Sequence, residues 1–102
     1  MLDVIEQHRD DLAAMCRRYG VRQLELFGSA TGSSFDRRNS DLDFLVIFSQ
    51  IPTATIDEQY FGLLGGLETL FGRKVDLVDI RAARNPYFIA EALKQRVVLY
   101  AA

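Results

Sequence analysis

At 102 residues the chain has room for one core and one domain. Its composition, 49% hydrophobic and 25% charged, is that of an ordinary globular chain, and a formal net charge of −2 argues against the broad, nonspecific grip on nucleic acid that a basic surface provides. A single cysteine, Cys16, rules out an intrachain disulfide. With no apolar leader and no apolar run of membrane-spanning length, the expected location is the cytoplasm, with no membrane partner.

Residues 2 to 19 are expected to form a helix, with Leu2, Ile5, Leu12, Met15, Cys16 and Tyr19 near helical spacing, Asp3 as N-cap and Gly20 as the stop. Cys16 is expected as a core thiol. His8, the only histidine, sits on the polar part of this pattern; a solvated residue is expected, and without a second histidine or a cysteine pair there is no basis for zinc. Val21 to Phe27 then alternates apolar and polar, which predicts a half-buried strand running into Gly28-Ser29.

That turn opens the most informative stretch, Phe27 to Phe48. Gly28 allows close approach of backbone to a phosphate, whose oxygens the backbone N–H groups and the Ser29 hydroxyl can bind. A short helix over 30–35 would point its N-terminus at the same anion. After the polar loop holding Arg37 and Arg38 come Asp41-Leu42-Asp43 and an apolar run. Side chains alternate along a strand, so Asp41 and Asp43 share a face. Two acids side by side at the start of a buried strand repel and are costly to desolvate unless a cation neutralises them. Mg²⁺ suits such a pair, because it binds through one or two carboxylates and completes its shell with water and substrate phosphates. Phosphate cradle and acids together predict a site for a Mg²⁺-nucleotide.

Ser49 to Thr55, with Pro52, breaks the strand, and Asp57 to Phe71 reads as a helix. Its wide apolar face includes Ile56, Tyr60, Phe61, Leu63, Leu64, Leu67, Leu70 and Phe71. Gly62, Gly65 and Gly66 weaken it, and their small size suits tight packing either on the sheet or on another protein. Gly72 ends the helix, and Val75 to Ile80 is a buried strand. Asp76 and Asp79 face opposite ways on it, so at most one joins Asp41 and Asp43. Arg81 and Arg84 follow in a loop, each either solvated or within reach of phosphate. Asn85-Pro86 starts a helix that runs to about Lys94, and Val97 to Tyr100 is a last short strand. The expected fold is α/β (α+β): one domain over 1–102, a small mixed β-sheet with helices packed on it.

Gly28-Ser29, eleven residues, then Asp41-Leu42-Asp43, with an acidic strand downstream, closely resembles the signature of the DNA polymerase β-type nucleotidyltransferase superfamily. At this size it resembles the minimal nucleotidyltransferase (MNT) group, the antitoxin partners of HEPN-domain toxins. The resemblance makes Asp76 the third carboxylate and leaves Asp79 to cap the following turn. Where many members carry Ala-Arg-Gly after Gly-Ser, this chain has Ala30-Thr31-Gly32. The resemblance implies transfer of AMP from ATP to a hydroxyl, a tyrosine's, of a HEPN toxin. Asp41, Asp43 and Asp76 would hold two Mg²⁺ ions ~3.5–4 Å apart. Asp76 would also take the acceptor's proton, and Gly28 and Ser29 would align the triphosphate for in-line attack. Larger relatives have a second domain for base and acceptor; without one, the acceptor is expected to be a protein docking over an open site. Two alternatives stay open: a non-catalytic nucleotide-binding module that neutralises a toxin by contact, and nucleotidylation of a small molecule.

Overall fold

The computed structural model describes residues 2–28, 42–81 and 96–102. The expected helices over 30–35 and 85–94, together with Arg37, Arg38 and Arg84, lie outside the described residues.

The first expected helix is two: α1, Leu2–Gln7, and α2, Arg9–Arg18. The chain breaks at His8 (φ −106, ψ 17), within a run of polar residues from Glu6 to Asp11. Local bonds stabilise the break. The Arg9 guanidinium donates to the Glu6 carboxylate across it at 2.8–3.1 Å. His8 is not simply solvated: it is half-buried, its ring edge-on to Phe71 with centroids 5.7 Å apart. Gly20 (φ 67) takes the left-handed conformation that ends α2.

Among the described residues four strands form one sheet: β1 Val21–Phe27, β2 Leu42–Phe48, β3 Val75–Asp79 and β4 Arg96–Ala101, in the order β3-β2-β1-β4. β1 is antiparallel to β2 and β4, whereas β2 and β3 are parallel, so their connection must cross over; α3, Ile56–Phe71, supplies it. This is the expected mixed sheet with helices packed on it.

Strand alternation divides the sheet into two faces. Leu24, Leu26, Leu42, Phe44, Val46, Phe48, Val75, Leu77 and Leu99 turn toward the helices and bury with Ile5, Leu12, Cys16, Leu63 and Leu67. On the opposite face Phe27 and Leu45 are buried beside Val78 and Ile80. β1 is therefore not half-buried as its alternation suggests. It is an interior strand, and even its polar Glu25 is only 5% exposed.

α3 begins at Thr55, whose side chain accepts the Glu58 N–H at 3.1 Å, and ends at left-handed Gly72 (φ 62). Ile56 and Phe61, expected on its apolar face, are instead 49% and 64% exposed, because the helix meets the core along Gln59, Leu63 and Leu67. Gln59 is a buried amide that donates to the Tyr19 and Ser49 carbonyls at 3.0 and 2.8 Å, fastening the end of α2 to the end of β2. Two of the glycines pack on neither the sheet nor another protein but on a helix of this chain. A Cβ at Gly62 would stand 2.3 Å from the Tyr19 ring and one at Gly66 would stand 2.7 Å from Met15 Sδ, so they seat α3 against α2; Gly65 has nothing within 4 Å. Among the described residues no helix is long and apolar enough to cross a membrane.

Candidate active site

Three chain segments meet at one corner of the sheet, on the face away from the helices. β1 ends there at Phe27, and Gly28 follows with φ 76, a conformation that L side chains rarely adopt. β2 starts there, and Asp43 lies opposite Phe27 in the antiparallel pair and opposite Asp76 in the parallel pair. Residues in register on neighbouring strands stand about 4.8 Å apart and face the same way. The chain order brings this about: antiparallel pairing sets the end of β1 against the start of β2, and the α3 crossover returns β3 to the same end. Asp43 is half-buried on an interior strand; Asp76 is exposed on the edge strand.

Gly28 and Asp43 fit closely. A Cβ on Gly28 would come within 3.1 Å of Asp43 Oδ2, so a larger residue would crowd the carboxylate as well as strain the backbone. The structure thus brings Gly28, Asp43 and Asp76 together. Ser29 and Asp41 lie outside the described residues, though each is the chain neighbour of a described one, Gly28 and Leu42. Among the described residues there is no group of three acids, histidines or cysteines. The two carboxylates present are hard oxygen donors on adjacent strands beside a cradle that a Cβ would fill, a donor set that fits Mg²⁺.

Asp79 is occupied elsewhere. On the helix-facing side of β3, its Oδ1 accepts the Arg81 N–H at 3.0 Å and closes the turn after the strand. Arg81 stands at the far end of β3, lining a cleft of about 770 Å³ with Ser49, Pro52, Thr55 and Gln59.

Sequence reasoning missed two groups. The Glu25 carboxylate, on the same face as Asp43, accepts from Gln23 and lies 3.4 Å from the Arg96 guanidinium, an ion pair between β1 and β4. Only the pairing of distant strands reveals it, and alternation alone assigns Glu25 to solvent. Tyr60, read as an apolar core residue, directs its hydroxyl to the Leu77 carbonyl. Burial chiefly, then the negative charges of Asp76 and Asp79, raise its pKa. Cys16 is fully buried, and burial pushes its thiol up to about 12, leaving it chemically inert in the native state.

A sheet corner that sets a left-handed glycine beside paired carboxylates is chemically suited to a nucleotide's phosphates and their cation. Comparison with known proteins gives the family: the chain belongs to the polymerase β nucleotidyltransferases, whose profile matches residues 10–102. The protein adenylyltransferase MntA of Thermococcus cleftensis is 35% identical over 75 residues, 74% of this chain and 69% of that protein. A solved structure named for a minimal nucleotidyltransferase superposes with a TM-score of 0.74 at 29% identity, covering 94% of this chain and 93% of the other. The fold also matches, at TM-score 0.66 and 19% identity over 96% of this chain and 73% of the other, a structure of tri-AMPylated Shewanella oneidensis HEPN toxin in complex with MNT antitoxin.

Proposed function

We propose that this nucleotidyltransferase uses Mg²⁺ and ATP to transfer AMP to a hydroxyl, a tyrosine's, on a HEPN-domain toxin, and so acts as an antitoxin. The observation that carries the reading is the placement of Asp43 opposite Asp76 on neighbouring strands, beside Gly28. The adenylyltransferase name of the archaeal relative and the AMPylated toxin in the fold neighbour support the choice of AMP and of a protein acceptor.

Gly28 and Ser29 bind the phosphate tail through backbone N–H groups and a hydroxyl, holding the α-phosphorus in line with the incoming oxygen. Asp41, Asp43 and Asp76 would hold the metal. Mg²⁺ bound there would neutralise phosphate charge and lower the pKa of the attacking hydroxyl. The acceptor oxygen forms its bond to the α-phosphorus, the bond to the bridging oxygen breaks, and pyrophosphate leaves. The proton passes to the Asp76 carboxylate, which its edge position leaves open to a macromolecular acceptor.

The test mixes the purified chain with its genomic-neighbour toxin, Mg²⁺ and ATP, and reads the toxin's intact mass. AMP-sized gains that vanish with Asp43→Asn and Asp76→Asn are expected. Neutralisation of the toxin with no mass gain would instead make the chain a contact inhibitor.

A further inference from the structure

A triphosphate beside two or three carboxylates calls for a cation from the protein. Arg81 cannot serve: it lies in the turn past the far end of β3, and the strand from Asp76 to Asp79 alone spans about 10 Å at ~3.3 Å per residue. Its guanidinium stands 3.8 Å from Asp79, facing the far cleft. The end of the sheet that holds Asp43 and Asp76 has other basic residues: Arg96, opposite Phe27 on β4 and ion-paired with Glu25, and, beside Asp76 itself, Lys74.

Lys74 precedes β3, and its carbonyl accepts the Leu42 N–H at 3.2 Å. That bond is the first rung of the parallel ladder, so the extended course of β3 is already set at Lys74. Positions two apart on an extended chain face the same side. Lys74 therefore shares the face of Asp76, about 6.6 Å away along the strand, and that of Asp43, about 8 Å away on the diagonal. Lys74 itself is exposed, at the open edge of the corner.

We propose that Lys74 is a phosphate-binding residue of this site, its ammonium contacting the β- or γ-phosphate of the bound nucleoside triphosphate. The assignment rests on the transferase reading above. An ammonium on a four-carbon stem is a mobile point charge with three donors, suited to phosphate oxygens whose positions shift between substrate and leaving pyrophosphate. The simpler role, a counter-charge that relieves repulsion among the acids, makes opposite predictions. A phosphate-binding lysine discriminates by the number of phosphates on the ligand. A counter-charge competes with the metal, so its removal tightens metal binding.

The experiment is calorimetric titration of the full chain with a non-hydrolysable ATP analogue, with AMP and with MnCl₂, comparing wild type, Lys74→Ala, Lys74→Arg and the far-end control Arg81→Ala. Lys74→Ala is expected to weaken the triphosphate about tenfold, close to one hydrogen bond to a charged group, and to leave AMP within twofold. Lys74→Arg should recover most of the loss, and Arg81→Ala should match wild type. Equal triphosphate binding by Lys74→Ala, equal losses for triphosphate and AMP, or tighter Mn²⁺ binding would each overturn the assignment. A wild-type chain that bound no triphosphate would bring down the transferase reading itself, and Lys74 with it. Melting curves of the variants identify any that fail to fold, and Lys74→Arg then carries the test.

Discussion

Gly28 joins backbone conformation to side-chain chemistry at a single position. Its φ of 76 costs an L residue about 1–2 kcal/mol, and the new Cβ would press on Asp43 Oδ2 at 3.1 Å. Gly28→Ala should therefore lower the melting temperature by roughly 4–8 °C per kcal/mol and, because Asp43 is displaced, reduce AMP transfer far more than the fold loss alone explains. Thermal scans beside a transfer assay separate the two effects, and near-normal transfer would show that the carboxylate does not need that space. Asp76 and Asp79 are separated by facing rather than by type. Asp76→Asn should abolish transfer, while Asp79→Asn, whose amide oxygen can still accept the Arg81 N–H, should retain most of it. The reverse outcome would place the wrong face of β3 at the site. Cys16, with its thiol pushed to about 12 from an ordinary 9.0, should resist alkylation at pH 8 until the chain unfolds. Its raised pKa stabilises the native state fully below about pH 9, and that contribution is lost as pH rises through about 12.

At the scale of elements, α3 separates glycines that a sequence pattern lumps together. Gly65 points into open space, so Gly65→Ala should stabilise the chain by about 1 kcal/mol through helix propensity. Gly62→Ala should destabilise it, because the Tyr19 ring stands where the methyl would go; a denaturant series of the two variants gives the signs directly. Nothing local in the sequence distinguishes them, since the difference lies in where α2 crosses. The same reason explains what could and could not be read in advance. The strands, the end of α3 at Gly72 and the opposite facing of Asp76 and Asp79 follow from periodicity and chain order, which are local. The break at His8, the exposure of Phe61 and the burial of Glu25 against Arg96 depend on partners far along the chain. Asp76 shows both at once: VDLVD sets it on the face opposite Asp79, but its place opposite Asp43 is fixed only by the parallel register.

For the molecule as a whole, a cation and nucleotide bound at this corner would couple the site to the stability of the fold. A ligand that binds only the native state adds about 2.7 kcal/mol at a hundredfold excess over its Kd. Wild type should melt higher with Mg²⁺ and a non-hydrolysable triphosphate. Asp43→Asn should show a much smaller ligand-induced rise. An Asp43→Asn chain that is less stable without ligand, yet still shifts with metal, would make Asp43 a structural residue.

The pairing of β1 with β4 carries a consequence for the chain during synthesis. β1 is an interior strand made early, and one of its edges waits for residues 96–101: Gln23 pairs with Ala101, and Arg22 receives the Ala102 N–H. A ribosome adding ~5–20 residues per second holds Leu24, Leu26 and Phe27 beside an unpaired edge for several seconds. A chain halted before Arg96 would own all five expected site residues and still present a sticky strand to its neighbours. Translational stalling late in the message should thus yield aggregates rather than a weakened enzyme.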